Sequence, residues 1–169
     1  MLRICLDQKP HDSRDIGCSS TLGGRIFYTF GDTFCKRYNG EFIAVVSHTC
    51  ASVPNKHYPT ITKYLALDKI GQVDSFIPLT EDEKDLDEDK CHKGRYTLWS
   101  FSGIAEDRPD VGTGWCWFEI GQCVICQDKE PLLVSLGTGV AQVRLDNESG
   151  NAIAFERKNM FDVSTFFTS

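Results

Sequence analysis

The feature that most constrains this chain is the close spacing of its strand-like runs. Residues 25–30, 41–48, 61–67, 96–101, 114–120, 132–135, 139–145 and 153–157 are short and rich in β-branched or aromatic residues. Gly, Asn, Asp or Pro separates them, which is the pattern of short antiparallel strands joined by turns. Tyr38-Asn39-Gly40 carries the strongest two-residue hairpin signal. The polar stretch 146–151 predicts a second hairpin over 139–157. Helix is expected at one place only. Thr80 stands three residues before Glu83, a capping-box spacing, and 81–90 holds seven acids and two lysines. That run reads as a solvated surface helix or loop. As a calcium-binding or regulatory loop it lacks the central glycine pattern. The expectation is an all-β fold with one short helix.

At 169 residues the chain is long enough for one domain with its own core. No fixed-period repeat or linker divides it. A net charge of −6 leaves no basic footprint for duplex nucleic acid. No apolar run approaches the ~20 residues of a membrane span. Neither nucleic acid nor membrane is an expected partner. Residues 1–10 are too short and polar for a signal peptide, so the protein is cytosolic or its leader lies further upstream. Eight cysteines permit up to four disulfides. Cys123 and Cys126 have the spacing of half a zinc site, but no second pair matches them. No metal or cofactor is expected, and structural thiols or disulfides are the plainer reading.

The chemistry-bearing residues start with Asp15 and Asp32. Each stands near a glycine, in Arg14-Asp15-Ile16-Gly17 and Phe30-Gly31-Asp32-Thr33. The segment between them reads as a turn followed by a strand, so an antiparallel pair would bring the two carboxylates together. Two close carboxylates are the minimal equipment for hydrolysing a glycosidic bond. The alternative is that each Asp only caps its own turn. Arg14 could ion-pair with an Asp or lower its pKa. Glu106 follows a strand-like run and is the candidate general acid, or else a surface acid. Trp99, Trp115 and Trp117 could stack on sugar rings or fill the core. Trp115 and Trp117, two apart, share a face on a strand. His48 could bond a sugar hydroxyl or sit half-buried with its own partner. No G-x-S-x-G elbow, P-loop or G-x-G-x-x-G stretch supports serine-hydrolase, nucleotide or dinucleotide chemistry.

In order, the stretches RDIGCSS, GGRIFYTFGDTFC, FIAVVSHTCA, FIPLTEDE, YTLWSFSGIAED and GTGVAQVRLD resemble a fungal and bacterial family with a glycosidase-like five-bladed β-propeller. Its bacterial relatives include endo-D-arabinanases. The likeness covers roughly 10–150. Ile16 replaces a glycine of the family's R-D-G-G-x-S pattern, and His48 replaces the asparagine of its S-N-T pattern. The resemblance implies an incomplete propeller, this chain being an N-terminal part, since a blade takes about 40–45 residues. It implies a hydrolase acting on a furanose-rich polysaccharide such as arabinan, with Asp15, Asp32 and Glu106 catalytic and Arg14, His48, Trp99 and Trp117 touching substrate. A non-catalytic carbohydrate-binding or secreted interaction protein on the same scaffold is the alternative. Secretion, at least one disulfide, and self-association through an open sheet edge are further expectations.

Overall fold

The computed structural model describes residues 13–37, 39–54, 57, 63–67, 73–84, 93–125 and 132–162. They form two antiparallel sheets, one of them strongly curled into a half-barrel, with almost no helix. Sheet 1 contains β1 (Ser13–Leu22), β2 (Arg25–Lys36), β3 (Phe42–Ser52) and β4 (Lys63–Tyr64), in chain order. Sheet 2 contains β5 (Lys93–Trp99), β6 (Ile104–Arg108), β7 (Thr113–Ile125), β8 (Leu132–Leu145) and β9 (Ala152–Asp162). Its order is β5-β7-β8-β9, with β6 also pairing β7. The all-β expectation holds, and most of the strand-like runs fall on strands. Residues 132–135 and 139–145 are one strand, β8, which continues through a register shift at Thr138/Gly139. In the run 61–67, the described strand is Lys63–Tyr64 alone, and 61–62 lie outside the described residues. Both predicted hairpins form, the first closed by Asn39 Oδ1 accepting from Glu41 N at 3.0 Å.

The main core lies between the sheets. Leu22, Phe27 and Cys50 of sheet 1 meet Leu98, Ile104, Phe118, Ile120 and Val143 of sheet 2. Removing each large side chain from water stabilises the fold by about 1.5–3 kcal/mol. A smaller cluster of Phe30, Ala51, Tyr64 and Val73 covers the other face of sheet 1.

A strap over 73–84 ties the sheets together. Phe76 N donates to His48 O at 2.7 Å, Ser75 Oγ donates to Ser47 O at 2.9 Å, and Ile77 is fully buried. The capping box forms as its spacing predicts. Thr80 N donates to Glu83 Oε2 at 2.9 Å and Glu83 N to Thr80 Oγ1 at 3.4 Å, opening helix α1 (Glu81–Lys84). The rest of the acidic run, 85–90, lies outside the described residues. Glu83 then reaches β9, where both its oxygens meet the Arg157 guanidinium at 2.5 and 2.6 Å.

No disulfide joins Cys18, Cys35, Cys50 and Cys116 to one another, so the expected disulfide is not among them. The side chains of Cys5, Cys91, Cys123 and Cys126 lie outside the described residues.

Candidate functional site

Asp15 on β1 and Asp32 on β2 are direct cross-strand partners, and Asp32 is in turn opposite Ser47 of β3. Directly opposed residues share a face, with Cβ atoms about 4.5–5.5 Å apart. The sequence expectation that an antiparallel pair joins the two acids is met. Which face they occupy is decided by a local break in the pleat.

Phe30 lies opposite both Gly17 and Thr49, while Thr33 lies opposite Arg14. Thr33 and Thr49 share a hydrogen bond at 2.6 Å between their hydroxyls, and both are fully buried. Thr33 and Phe30 therefore face the same way although they are three positions apart, which regular alternation forbids. Arg14 repeats this on β1, its guanidinium lying 4.6 Å from the centre of the Phe30 ring. The reversal falls at the row Ile16–Gly31–His48, where Ile16 has φ 47° and His48 has φ 52°. On the other side of the row, Ser47 Oγ accepts from Leu98 N of β5 at 3.4 Å, so Asp15, Asp32 and Ser47 face sheet 2. Asp32 is half-buried there and Asp15 is exposed on the edge strand.

Left-handed backbone is rare for a β-branched residue and costs roughly 1–2 kcal/mol. Ile16 is 40 % exposed and loses little burial on truncation. Ile16→Gly should therefore raise unfolding free energy by about 1 kcal/mol, read as a higher denaturant midpoint at unchanged slope.

Arg14 turns away from the acids. Its Nε donates to Tyr64 Oη at 2.8 Å, and its guanidinium stacks over Phe30 and Tyr64 on the face opposite Asp15. These contacts set it on the face opposite Asp15, as alternation of neighbouring strand residues requires. Glu106 sits at the other end of the hairpin. On β6, it accepts from Gly23 N of the β1–β2 turn at 2.5 Å. Asp15 is eight residues away along the hairpin, on the order of 26 Å of extended strand. The fold brings Asp15 and Asp32 together and leaves Glu106 apart.

Trp99 and Trp117 are also apart from the pair. They alternate with the core residues Leu98, Cys116 and Phe118, which places them on the outer face of sheet 2. Trp99 covers Gly121, and Trp117 is 47 % exposed. Trp115, on the same face, donates from Nε1 to Asp107 Oδ2 at 3.0 Å; the hydrogen bond from Thr113 Oγ1, with that from Trp115, holds the Asp107 carboxyl below its ordinary range.

His48 was expected to touch substrate, but it is 0 % exposed. Its ring stacks on Phe76 at 5.9 Å, Nε2 lies 3.6 Å from Cys116 Sγ, and Nδ1 has no hydrogen-bond partner. A sugar cannot reach it without opening the sheet interface. Burial lowers its pKa to about 4, its own backbone carbonyl opposing that shift. Burial likewise raises the Cys116 thiol to about 11, and Cys50 well above its ordinary value. The cluster is thus neutral over a wide pH range. The unfolded chain takes up a proton at His48 near pH 6.5, whereas the folded chain resists until about 4. Stability should be flat above pH 6.5 and fall as pH drops from 6.5 to 4, by about 3 kcal/mol in all. Denaturant midpoints across that range check it. His48→Asn, whose side chain tolerates positive φ, should remove that part of the slope.

No cluster of three or more His, Cys, Asp or Glu suited to a metal ion occurs among the described residues. No helix among them is long and apolar enough to cross a membrane. Sequence reasoning gave no role to Ser47 or Gly31, which complete the acidic row and the pleat reversal; the register alone reveals them. No family model matches the chain, and no curated protein matches it in sequence.

Proposed function

We propose that this chain is part of a glycoside-hydrolase-like protein, of the five-bladed propeller type, acting on a furanose-rich polysaccharide such as arabinan. The observation that carries the reading is the direct register of Asp15 against Asp32, aimed between the sheets. Opposed Cβ atoms about 4.5–5.5 Å apart suit the carboxyl separation of about 5–5.5 Å used by retaining enzymes. In this reading Asp15, the more exposed, attacks the anomeric carbon. Asp32 protonates the leaving oxygen and later takes a proton from water, the role first expected of Glu106. Neither step uses a metal or cofactor.

Release of reducing ends from arabinan tests this. Product above the blank, abolished in Asp32→Asn, supports it. Binding of the polymer with no product favours a non-catalytic carbohydrate-binding or interaction protein, a reading supported by the engagement of Glu106 with Gly23. The proposal includes secretion of the parental protein and self-association through its sheet edges. Sheet 2 ends, among the described residues, at the long edge strand β9, and the exposed Leu132 and Leu133 lie on neighbouring β8.

A further inference from the structure

A cleft of about 580 Å³ opens at the end of the fold opposite the acidic pair. That volume lies within the range of small-molecule sites. Its walls come from the start of β2, the end of β3, β4 and the β8–β9 turn. Two cations, Arg25 and Lys63, line it, and no carboxylate does among the described residues. In a chain of net charge −6, this local excess of positive charge is out of keeping with the rest of the surface.

The cleft is built rather than incidental. Arg25 Nη1 donates to Gly150 O at 3.0 Å, which fixes the guanidinium against the wall. A Cβ at position 150 would lie 2.0 Å from that same nitrogen, and Gly150 has φ 66°, so glycine alone permits the contact. Gly24, on the rim with φ 73°, would meet nothing within 4 Å of an added Cβ, so the backbone there is open to a ligand. One acid of the turn is already engaged. Asp146 accepts from Ser149 N at 2.8 Å and from Ser149 Oγ at 2.5 Å, curling back onto its own turn.

We propose that this cleft binds a small oxyanion, a carboxylate or phosphate group borne by a ligand, held by the fork of Arg25 and the ammonium of Lys63. A uronate sugar and a phosphate ester share that chemistry. The site stands independently of any catalysis at Asp15 and Asp32.

Amide chemical shifts of the ¹⁵N-labelled chain, followed at constant ionic strength, test it. Sodium phosphate, sodium galacturonate and neutral galactose serve as probes. Saturable shifts at Gly24, Lys63 and Asn151 with either anion, and none with galactose, are expected. Saturation by phosphate alone or by galacturonate alone supports the site and identifies the source of the anion. Lys63→Met, an exposed change that leaves the Arg25–Gly150 contact intact, should weaken binding by about fivefold or more. The absence of saturable shifts with both anions, equal shifts with galactose, or unchanged affinity in Lys63→Met would overturn the proposal.

Discussion

Asn in place of Asp15 is expected to lower arabinan turnover by about 10²–10⁴-fold while leaving the melting temperature unchanged or slightly raised. The two halves of that result have one cause. Asp15 and Asp32 stand directly opposite each other on adjacent strands. Where both are ionised, like charges in that arrangement destabilise the sheet; where Asp32 holds the proton that the proposed mechanism requires, that repulsion is absent. Asn keeps the size and hydrogen-bonding capacity of the side chain but removes the charge and, in the proposed mechanism, the nucleophile. The melt should therefore rise slightly at a pH where both acids are ionised and stay unchanged where Asp32 is protonated, while turnover falls in either case. Initial rates and a thermal melt on the same preparation provide the check. A loss of only a few-fold, with the fold intact, would reduce Asp15 to an ordinary surface acid and count against the hydrolase reading.

The largest effect on stability is expected at the strap. Glu83→Ala should reduce unfolding free energy by about 3 kcal/mol or more, read from the denaturant midpoint. Glu83 and Arg157 are only 12 % and 11 % exposed at their side chains, so their mutual attraction is poorly screened. Removing the carboxylate strands a guanidinium over the Phe118 ring, 5.1 Å from its centre, with Nε already lacking a partner. It also removes the acceptor of the Thr80 backbone N–H in the capping box. Replacing both partners, as Glu83→Leu with Arg157→Met, should restore much of the loss, because no buried charge is then left unpaired. The pair has its own pH signature. Burial acts to raise the Glu83 pKa, but hydrogen bonds from Arg157 and Thr80, with the Arg157 charge, outweigh it and lower the pKa from 4.5. Its contribution is therefore complete above pH 4.5 and is lost as pH falls below that value, a window lower than that of His48.

How much of this was legible in the sequence depended on whether the signal was local. The Asn39-Gly40 turn, the 146–151 turn and the Thr80–Glu83 box are written within a few residues, and each forms where expected. Strand β1 carries Gly17, Ser19 and Ser20 and little apolar alternation, so it is not among the strand-like runs picked out by composition; its pairing with β2 supplies what its composition lacks. Strand β6 has the sequence IAEDR and lies outside the strand-like runs for the same reason. The nearness of Asp15 and Asp32 followed from hairpin logic. The position of Glu106 did not, because it depends on how β6 of one sheet docks on the turn of the other. His48 was misjudged because one histidine beside an apolar run looks alike at a rim and in a core. Burial against Phe76 and Cys116 is a tertiary fact.

The row Ile16–Gly31–His48 makes the direction of the carboxylates a matter of parity. With an unbroken pleat, Asp15 and Asp32 would be in the same register and at the same spacing, yet turned toward the small Phe30 cluster and away from sheet 2. The acids could thus be disarmed without being touched, by residues in that row that refuse a positive φ. Two chains with identical motifs at identical spacing could differ in whether the motif points at anything. What such a motif encodes is a pair of charges; the left-handed backbone at Ile16 and His48, on the strands either side of Gly31, supplies the aim.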